Sequence, residues 1–413
     1  MTRRHLLPTA AAVVAVLTAA APAVPVHAAP PDPAHRTGAA RGAEAWEADL
    51  SGVDGDDVGV TWNGRAVVLA PAAPSPASAR APIRTGFLLL APHDLAAPAD
   101  AVAATVRGRV PAGAEVAVDV RGALGDGRWT GWAQARPGAP ATLPTAVDRV
   151  QVRLALTGDR AGAVGPEVDG LALTASATGV TATQAGELTY RVYATREGLV
   201  GGTTANGHVI VERDHFVALP SRRGLSAKAE GAYSVRVCAS TGRCEWAPVW
   251  DIGPWNTKDD YWSPADTRET WADLPQGTPQ AQAAHQSGYN DGKDEFGREV
   301  ANPAGVDLAD GTFWDGLQLT GNDWVTVTYL WTGAGPAGFV RTEGEPLNVR
   351  SGPDSTTAQV GLAANYAQVR VECQLVGQTV TGTQGTSDVW YRIAADKHVA
   401  KAYVTGVAEA PAC

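Results

Sequence analysis

Asp251 is the residue of this sequence best placed for acid–base chemistry. It follows an apolar run, Ala247 to Trp250, and precedes Ile-Gly-Pro, a string that must turn the chain sharply. The run predicts a strand, so the carboxyl lies at a strand end beside the rings of Trp250 and Trp255. Apolar neighbours disfavour the charged form of a carboxyl and raise its pKa, which suits a general acid working near neutral pH. The alternative is an aspartate that caps the turn through its own backbone.

A polar insertion follows Trp255 and carries further aromatic residues. Tyr261 and Trp262, together with Trp255, offer flat faces that suit stacking against sugar rings. Thr278-Pro279 predicts the start of a helix. The acidic, Gly-rich part from Gly288 to Asp294 lacks the ligand spacing of an EF-hand loop, so no metal is assigned to it.

Three kinds of segment have to position these residues. Between 45 and 178, short alternating runs such as Ala114 to Arg121 are separated by Gly, Pro and Asp turns, which predicts an antiparallel β-sandwich. The segment 186–333 holds most of the tryptophans and has long polar insertions between strand-like runs. A Gly-rich linker then leads to short strands over 339–413. The chain is therefore predicted to be mainly β.

Four strings within 186–333 carry a family resemblance. They are Gly202-Thr-Thr-Ala-Asn-Gly207, Val217-Ala-Leu-Pro-Ser221, Ala247-Pro-Val-Trp-Asp-Ile-Gly-Pro-Trp255 and Gly305-Val-Asp-Leu-Ala309. In this order, before a final strand from Trp324 to Tyr329, they resemble the double-psi β-barrel of rare-lipoprotein-A-like wall enzymes, expansins and, more remotely, some endoglucanases. The resemblance implies a six-stranded barrel with a long insertion, whose groove binds cell-wall polysaccharide.

The resemblance also implies roles for individual residues. Asp251 matches the acid/base that is proposed to protonate a glycosidic oxygen, and Asp307 lies alongside it in the groove. An inverting hydrolase would use Asp307 as the base that activates water, whereas a lytic transglycosylase manages with one acid/base. Asp307 equally fits the N-cap of a short helix from Ala309 to Leu317. Thr195 matches a groove threonine that hydrogen-bonds the aspartate, although a strand threonine needs no such role.

One position departs from the pattern of the wall enzymes. They carry a histidine just before Leu-Pro, and here the counterpart is Phe216, with His215 adjacent. His215, or His208 in the Ala-Asn-Gly-His turn, is a candidate replacement, and both also suit an exposed surface. The departure weighs against a lytic transglycosylase. The alternative is an expansin-like protein that binds polysaccharide without cleaving it.

Both flanking segments resemble modules of secreted wall proteins. Leu347-Asn-Val-Arg-Ser-Gly-Pro353, followed by Trp390-Tyr-Arg-Ile393 and Ala402-Tyr-Val404, resembles the bacterial SH3-like domain over 339–413. Arg128-Trp-Thr-Gly-Trp132 resembles β-sandwich modules that precede the catalytic domains of wall amidases and peptidases. These resemblances imply attachment to peptidoglycan, with a passive spacer or adhesion protein as the alternative.

The N-terminal residues predict export. Residues 1–29 combine a charged head, a short apolar core and a small-residue cleavage site, which is typical of a signal peptide, and 30–44 forms a linker. Paired arginines leave both the general secretory and the twin-arginine route open. No later stretch offers the ~20 apolar residues of a membrane span. We expect a secreted, wall-associated protein that acts as a monomer.

Composition narrows the remaining classes. The net charge of -10, without a basic patch, argues against nucleic acid as a partner. The four cysteines predict two disulfides, Cys238 with Cys244 across a hairpin turn and Cys373 with Cys413. No dinucleotide fingerprint, phosphate loop, zinc-protease motif or serine elbow is present in the sequence, so no cofactor is expected.

Overall fold

The computed structural model describes residues 43–71, 84–125, 127–159, 164–179 and 186–413. Strands make up most of its regular structure, which confirms the mainly β fold class. The predicted signal peptide and nearly all of the predicted linker lie outside the described residues. Within the described ranges, no helix is both long enough and apolar enough to cross a membrane.

The chain first forms an antiparallel sheet of nine strands. Leu171, Leu173 and Ala175 alternate with more exposed residues and bury one face, which is the period of two expected for a strand. The two-layer sandwich packing stays a prediction. The strands are β1 (Glu44–Glu47), β2 (Val60–Trp62), β3 (Val67–Leu69), β4 (Thr85–Leu89), β5 (His93–Arg109), β6 (Glu115–Gly122), β7 (Ala133–Ala135), β8 (Ala141–Thr157) and β9 (Glu167–Ser176).

The next six strands are β10 (Leu188–Arg196), β11 (Val217–Leu219), β12 (Ser234–Cys238), β13 (Cys244–Ile252), β14 (Ala304–Leu308) and β15 (Asp323–Tyr329). They close a ring in the order β10, β14, β11, β13, β12, β15 and back to β10. The β10–β14 and β11–β13 pairs are parallel, and the other pairs are antiparallel. This closed, mixed six-stranded barrel confirms the predicted barrel and is compatible with double-psi topology.

The helical elements are short and lie mostly in the connections. Helix α1 (Gln280–Ser287) begins directly after Pro279, where the sequence predicts a helix start. The helix predicted from Ala309 to Leu317 is instead a π-helical turn, Thr312–Gly316, that Gly311 precedes. Asp307 lies within β14 and does not cap it, so the N-cap alternative is wrong. The 3₁₀ turns are Arg222–Gly224, Tyr289–Gly292, Leu330–Thr332 and Lys401–Tyr403.

Five of the C-terminal strands continue the sheet of the barrel, and the other three form a small sheet of their own. The strand Gln359–Ala363 pairs in parallel with β13, and the buried Trp246 of β13 belongs to the C-terminal core. The likeness to an SH3-like barrel stays a prediction. The strands are β16 (Ala337–Val340), β17 (Leu347–Arg350), β18 (Gln359–Ala363), β19 (Gln368–Arg370), β20 (Cys373–Gly382), β21 (Gly385–Ala394), β22 (Lys397–Ala400) and β23 (Val404–Thr405).

Two disulfides confirm the predicted cysteine pairing. Cys238 is bonded to Cys244 across the hairpin that joins β12 and β13. Cys373, at the start of β20, is bonded to Cys413. Each disulfide therefore closes a loop within one part of the chain.

The N-terminal sheet packs directly against the barrel. Trp132 is 6% exposed and belongs to the hydrophobic cluster of the barrel, where it lies beside Tyr233. The Tyr233 hydroxyl donates to the Thr130 carbonyl oxygen at 2.9 Å. The Trp129 and Trp132 region thus forms an interface inside the molecule.

Candidate functional site

Strand register brings the two predicted carboxyl groups to one level of the barrel. Ala218 of β11 is paired with Asp251 of β13 on one side and with Asp307 of β14 on the other. Thr195 of β10 is paired with Asp307 in turn. Directly paired residues present their side chains on the same face. The four residues therefore form a row across four neighbouring strands.

A β-bulge determines which way Asp251 faces. Val217 is paired with Val249, whereas the next residue, Ala218, is paired with Asp251, so Trp250 is an extra residue on β13. Without it, Asp251 would share the core-facing side of Val249, because alternate strand residues share a face. The bulge turns the carboxyl toward the side of Asp307, and bulges next to active sites re-aim side chains in this way.

Asp251 is held by backbone donors at a half-buried position. Its Oδ1 accepts from the N–H groups of Ala205 and Ile252, both at 2.8 Å. Burial raises the pKa of Asp251, and these hydrogen bonds hold it lower than burial alone would place it. The bond from Ile252 is the local turn contact that the sequence offered as the alternative role. Asp251 makes that contact and also faces the site.

Asp307 is set by one hydroxyl and one neighbouring charge. Burial and the charge of Asp251 both raise the pKa of Asp307, and the net value is about 7. The Thr195 hydroxyl donates to its Oδ1 and opposes both effects. A carboxyl with a pKa near 7 changes charge at neutral pH, which suits either member of an acid–base pair.

Glu197 is a third carboxyl at this site, and the sequence reading missed it. It follows the last residue of β10, and its backbone N–H donates to the Leu308 carbonyl oxygen at 2.9 Å. Burial raises the pKa of Glu197 to about 10, with contributions from Asp251, Asp307 and Asp214. The available signal was its position at a strand end, two residues after Thr195. A glutamate in a polar, Gly-rich stretch otherwise looks like a surface residue.

An aromatic wall lies beside Asp251. The ring of His208 is 4.7 Å from that of Trp250, and Phe216 packs against both. The His208 Nε2 contacts the carboxylate of Asp214. The structure thus places two predicted residues, Trp250 and His208, next to the carboxyl groups.

His215 belongs to a different cluster. Its Nδ1 is 2.9 Å from Glu245 Oε1, and Glu245 also accepts from the Thr312 hydroxyl at 3.1 Å. Burial acts to lower the pKa of His215, but the charge and hydrogen bond of Glu245, together with the charges of Asp315 and Asp214, raise it overall. The one-residue shift in sequence therefore gives Phe216 the place beside Trp250 and turns His215 toward Glu245.

The aromatic residues predicted from the insertion lie away from the carboxyl groups. Tyr261 is 0% exposed and Trp262 is 3% exposed, and both are in the barrel core. The Tyr261 hydroxyl donates to the Gly305 carbonyl oxygen and accepts from Tyr329. Trp255 packs on the cluster that contains residues of α1. Tyr261 and Trp262 present no open ring face in this structure.

Trp314 is an exposed aromatic residue near the carboxyl groups that the sequence reading did not single out. It is 38% exposed and lies in the π-helical turn. The guanidinium groups of Arg196 and Arg213 lie 4.6 and 4.7 Å from its ring centroid. These arginines directly precede Glu197 and Asp214, so Trp314 borders the same end of the barrel.

A cluster of acidic residues elsewhere has the composition of a cation site. Ligand atoms of Asp54, Asp56 and Asp57 lie within 4.8 Å of one another in the N-terminal part of the chain. Exposed acidic groups commonly gather without an ion, and this cluster has no contact with the barrel carboxyl groups in the hydrogen bonds of the described residues. It is not part of the candidate site.

Comparison with known proteins finds a family that matches the barrel region. Residues 188–328 match a family described as a domain of unknown function, DUF8814. The chain is also similar to the uncharacterized protein YraI of Bacillus subtilis (strain 168), with 37% identity over 49 residues, which is 12% of this chain and 41% of that protein. The chain thus spans less than half the length of that relative. No solved structure matches it.

Proposed function

We propose that this chain is an exported wall protein that binds and cleaves cell-wall glycan, with peptidoglycan as the first candidate substrate. The observation that carries the proposal is the convergence of Asp251, Asp307 and Glu197, all with raised pKa values, at one end of a closed barrel. A carboxyl that keeps its proton at neutral pH is what protonation of a glycosidic oxygen requires. The order of the sequence strings supports the likeness to rare-lipoprotein-A-like enzymes and expansins.

The strand register places carboxyl groups on separate strands, which leaves room for hydrolysis with inversion. Asp251 and Asp307 are aligned on either side of Ala218, so their Cα atoms are separated by two strand spacings, about 10 Å. Inverting glycosidases hold their acid and base about 6.5–9.5 Å apart, and retaining ones about 5–5.5 Å. Asp307 is then the base that activates water. A lytic transglycosylase would leave Asp307 dispensable.

Exposed apolar side chains beside the carboxyl groups supply surface for sugar rings. The Gly201 N–H donates to the Ile210 carbonyl oxygen, and the Ile210 N–H donates to Gly202, which folds this loop into a short hairpin. Sugar rings present C–H faces that pack on apolar and aromatic surface. The exposed side chains are Leu199, Val200, Val209 and Val211 on the hairpin and Trp314 on the π-helical turn.

A non-cleaving, expansin-like binding protein is the second candidate function. Ala205 and Ile252, the two residues whose N–H groups bond Asp251, pack against Phe87 and Ala117 of the N-terminal sheet. This packing covers one side of Asp251 and narrows the approach for a long polymer. If access to the Asp251 carboxyl group is restricted in this way, the protein would bind glycan without cleaving it.

The test is incubation of the exported chain, from residue 30 onward, with purified peptidoglycan, followed by mass spectrometry of the soluble products. We expect reducing-end products from wild type, and losses of about 10²–10⁴-fold in Asp251→Asn and Asp307→Asn. Asp148→Asn, the same change at an exposed site in β8, serves as the control. Anhydro products that persist in Asp307→Asn would indicate a lytic transglycosylase. Retention on the wall without products would favour the binding protein, and neither retention nor products would refute both.

A further inference from the structure

Glu197 has a buried carboxyl group that meets another carboxyl group. Among the described residues, neither of its side-chain oxygens has an N–H or O–H donor, and both oxygens are buried. Its carboxyl partner is Asp251, whose Oδ1 already accepts the N–H groups of Ala205 and Ile252. Two carboxylates are both acceptors, so they bond each other only when one of them carries a proton. The contact therefore implies one proton held between two carboxyl groups.

We infer that Glu197 and Asp251 form a single acid that shares one proton, and that Glu197 is the residue that carries this proton and donates it to the glycosidic oxygen. The inference rests on the proposed function and assigns the acid within that same site. Two backbone N–H groups favour the charged form of Asp251, and Glu197 has no such donor. The proton is therefore carried by Glu197 and the negative charge by Asp251.

This pair is too close to supply both the acid and the base. Carboxyl groups joined by a hydrogen bond have oxygens about 2.5–2.7 Å apart. Even retaining glycosidases separate their two carboxyl groups by about 5–5.5 Å, because the bond being broken lies between them. Glu197 and Asp251 must therefore act from one side of the bond. The separate base is Asp307, which lies across Ala218 from Asp251.

The reaction step balances with water as the second reactant. The bond between the anomeric carbon and the leaving oxygen breaks, its electron pair stays on that oxygen, and the oxygen takes the proton of Glu197. Water adds to the anomeric carbon and gives its proton to the Asp307 carboxylate. Transfer of that proton back to the Glu197–Asp251 pair restores the starting state.

The groups around Glu197 determine the pH range of this step. The charges that act on it are those of Asp251 from β13, Asp307 from β14 and Asp214 from the loop before β11, and all three raise its pKa. The reaction requires Asp307, the base, to be ionised and Glu197, the acid, to be protonated. The pKa values are about 7 for Asp307 and about 10 for Glu197. Cleavage should therefore rise as the pH passes 7 and fall as it approaches 10, which gives a bell-shaped profile.

Carboxyl NMR of the full exported chain tests the shared proton without any substrate. With ¹³C at the glutamate side-chain carboxyl, we expect one resonance that stays protonated above pH 8 in wild type and is missing in Glu197→Gln. Glu212→Gln, the same change at an exposed position of the neighbouring loop, should keep it. In Asp251→Asn that resonance should titrate about 1–3 pH units lower, because a like charge has been removed. A Glu197 that titrates with the exposed glutamates, or that ignores Asp251→Asn, would overturn the inference.

Cleavage by the same variants tests the donor role. We expect Glu197→Gln to lose about 10²–10⁴-fold in rate and the alkaline limb of its profile, with Glu212→Gln unchanged. A Glu197→Gln protein as active as the control would overturn the assignment of the donor. Failure of wild type to cleave any wall glycan would instead refute the proposed function, whereas the NMR titration would still decide whether the pair shares a proton.

Discussion

A hydroxyl and a neighbouring charge act on Asp307 in opposite directions. Thr195 donates a hydrogen bond that favours the ionised carboxyl, whereas burial and Asp251 favour the protonated one. The balance leaves the pKa of Asp307 at about 7, within the range where a base is useful. The threonine is therefore a positioning residue whose contribution is measurable.

Thr195→Val removes this donor while keeping the shape of the side chain. A hydrogen bond to a charged group is worth about 1.5–3 kcal/mol, and each pH unit corresponds to about 1.4 kcal/mol. The pKa of Asp307 should therefore rise by about 1–2 pH units, which is measurable from the aspartate carboxyl resonances. Thr189→Val removes the hydroxyl of an exposed threonine on the same strand, which contacts Thr328 and not Asp307, and it should leave the pKa of Asp307 unchanged. Equal titrations in the two variants would contradict the role of Thr195.

The raised pKa of Asp307 also makes the stability of the fold depend on pH. The folded carboxyl has a pKa of about 7 against an unfolded value of 3.8, so the folded state binds its proton more tightly. The resulting stabilisation is fully present below pH 4 and is lost as the pH rises through 7. It amounts to about 4 kcal/mol, at about 1.4 kcal/mol per pH unit between the two values.

Asp307→Asn should remove that dependence. Between pH 4 and pH 8, the free energy of unfolding in urea should fall less in the variant than in wild type, by about 4 kcal/mol. Asp148→Asn, which changes an exposed carboxyl, should follow the wild-type curve. Parallel curves for Asp307→Asn and wild type would show that the carboxyl is not protonated in the folded protein.

At the scale of single residues, the sequence identifies the residues within motifs, but it does not identify the residues that pack around them. Asp251, Asp307 and Thr195 meet because short recognisable strings place them on paired strands. Glu197 belongs to none of the recognisable motifs, and it lies near these residues only because the barrel closes. Tyr261 lies in the core because its ring packs on Tyr329, a partner 68 residues away that no local pattern reveals.

At the level of elements, the disulfides differ in the length of chain they close. Cys238 and Cys244 are 6 residues apart, whereas Cys373 and Cys413 are 40 apart. The loop-closure estimate gives about 2 kcal/mol for a loop of the first size and about 4 kcal/mol for the second. Replacing Cys373 and Cys413 by Ser should therefore lower the free energy of unfolding about twice as much as replacing the hairpin pair. Urea titrations of the two double variants would check this, and the reverse order would contradict it.

The elements themselves were largely predictable, and their connections were not. Local sequence patterns predicted the barrel strands, the hairpin disulfide and the helix start at Pro279. The pairing of β13 with β18 depends on residues more than a hundred positions apart, such as Cys244 and Gly361. Strand sequence specifies a pleated, half-buried surface and leaves the choice of a distant edge partner to tertiary packing.

At the scale of the whole molecule, three parts of the chain surround the carboxyl groups. The barrel supplies the groups themselves, and Phe87 of the N-terminal sheet covers the residues next to Asp251. From the C-terminal part, Tyr366 packs 6.0 Å from the ring of Trp250. The chemistry of the site therefore depends on parts of the chain that resemble separate modules in sequence.

The contact between the N-terminal sheet and the barrel contains buried charge. Asp119 of β6 is 0% exposed and accepts from Arg153 of β8 and from Arg222 of the 3₁₀ turn after β11. Alternation along β6 predicts that Asp119 and Arg121 face solvent, opposite Val118 and Val120. Both are buried because the barrel covers that face, so this strand has no solvent-facing side. Alternation of polar and apolar residues shows that one strand face is polar, but it does not show whether that face contacts water or a charged interface.

Asp119→Asn tests whether this interface joins the two parts into one folding unit. The change leaves Arg153 without the charge that offsets its burial, whereas Arg222 keeps its ion pair with Glu269, and breaking a buried pair costs about 3–5 kcal/mol. Its urea midpoint should therefore fall well below that of wild type, for barrel fluorescence and for overall circular dichroism alike. Asp94→Asn breaks an exposed ion pair with Arg149 in the same sheet and should change the midpoint little. If Asp119→Asn matched Asp94→Asn, or shifted only one of the two signals, the N-terminal sheet would be an independent module, and the cover it places over Asp251 would be free to open.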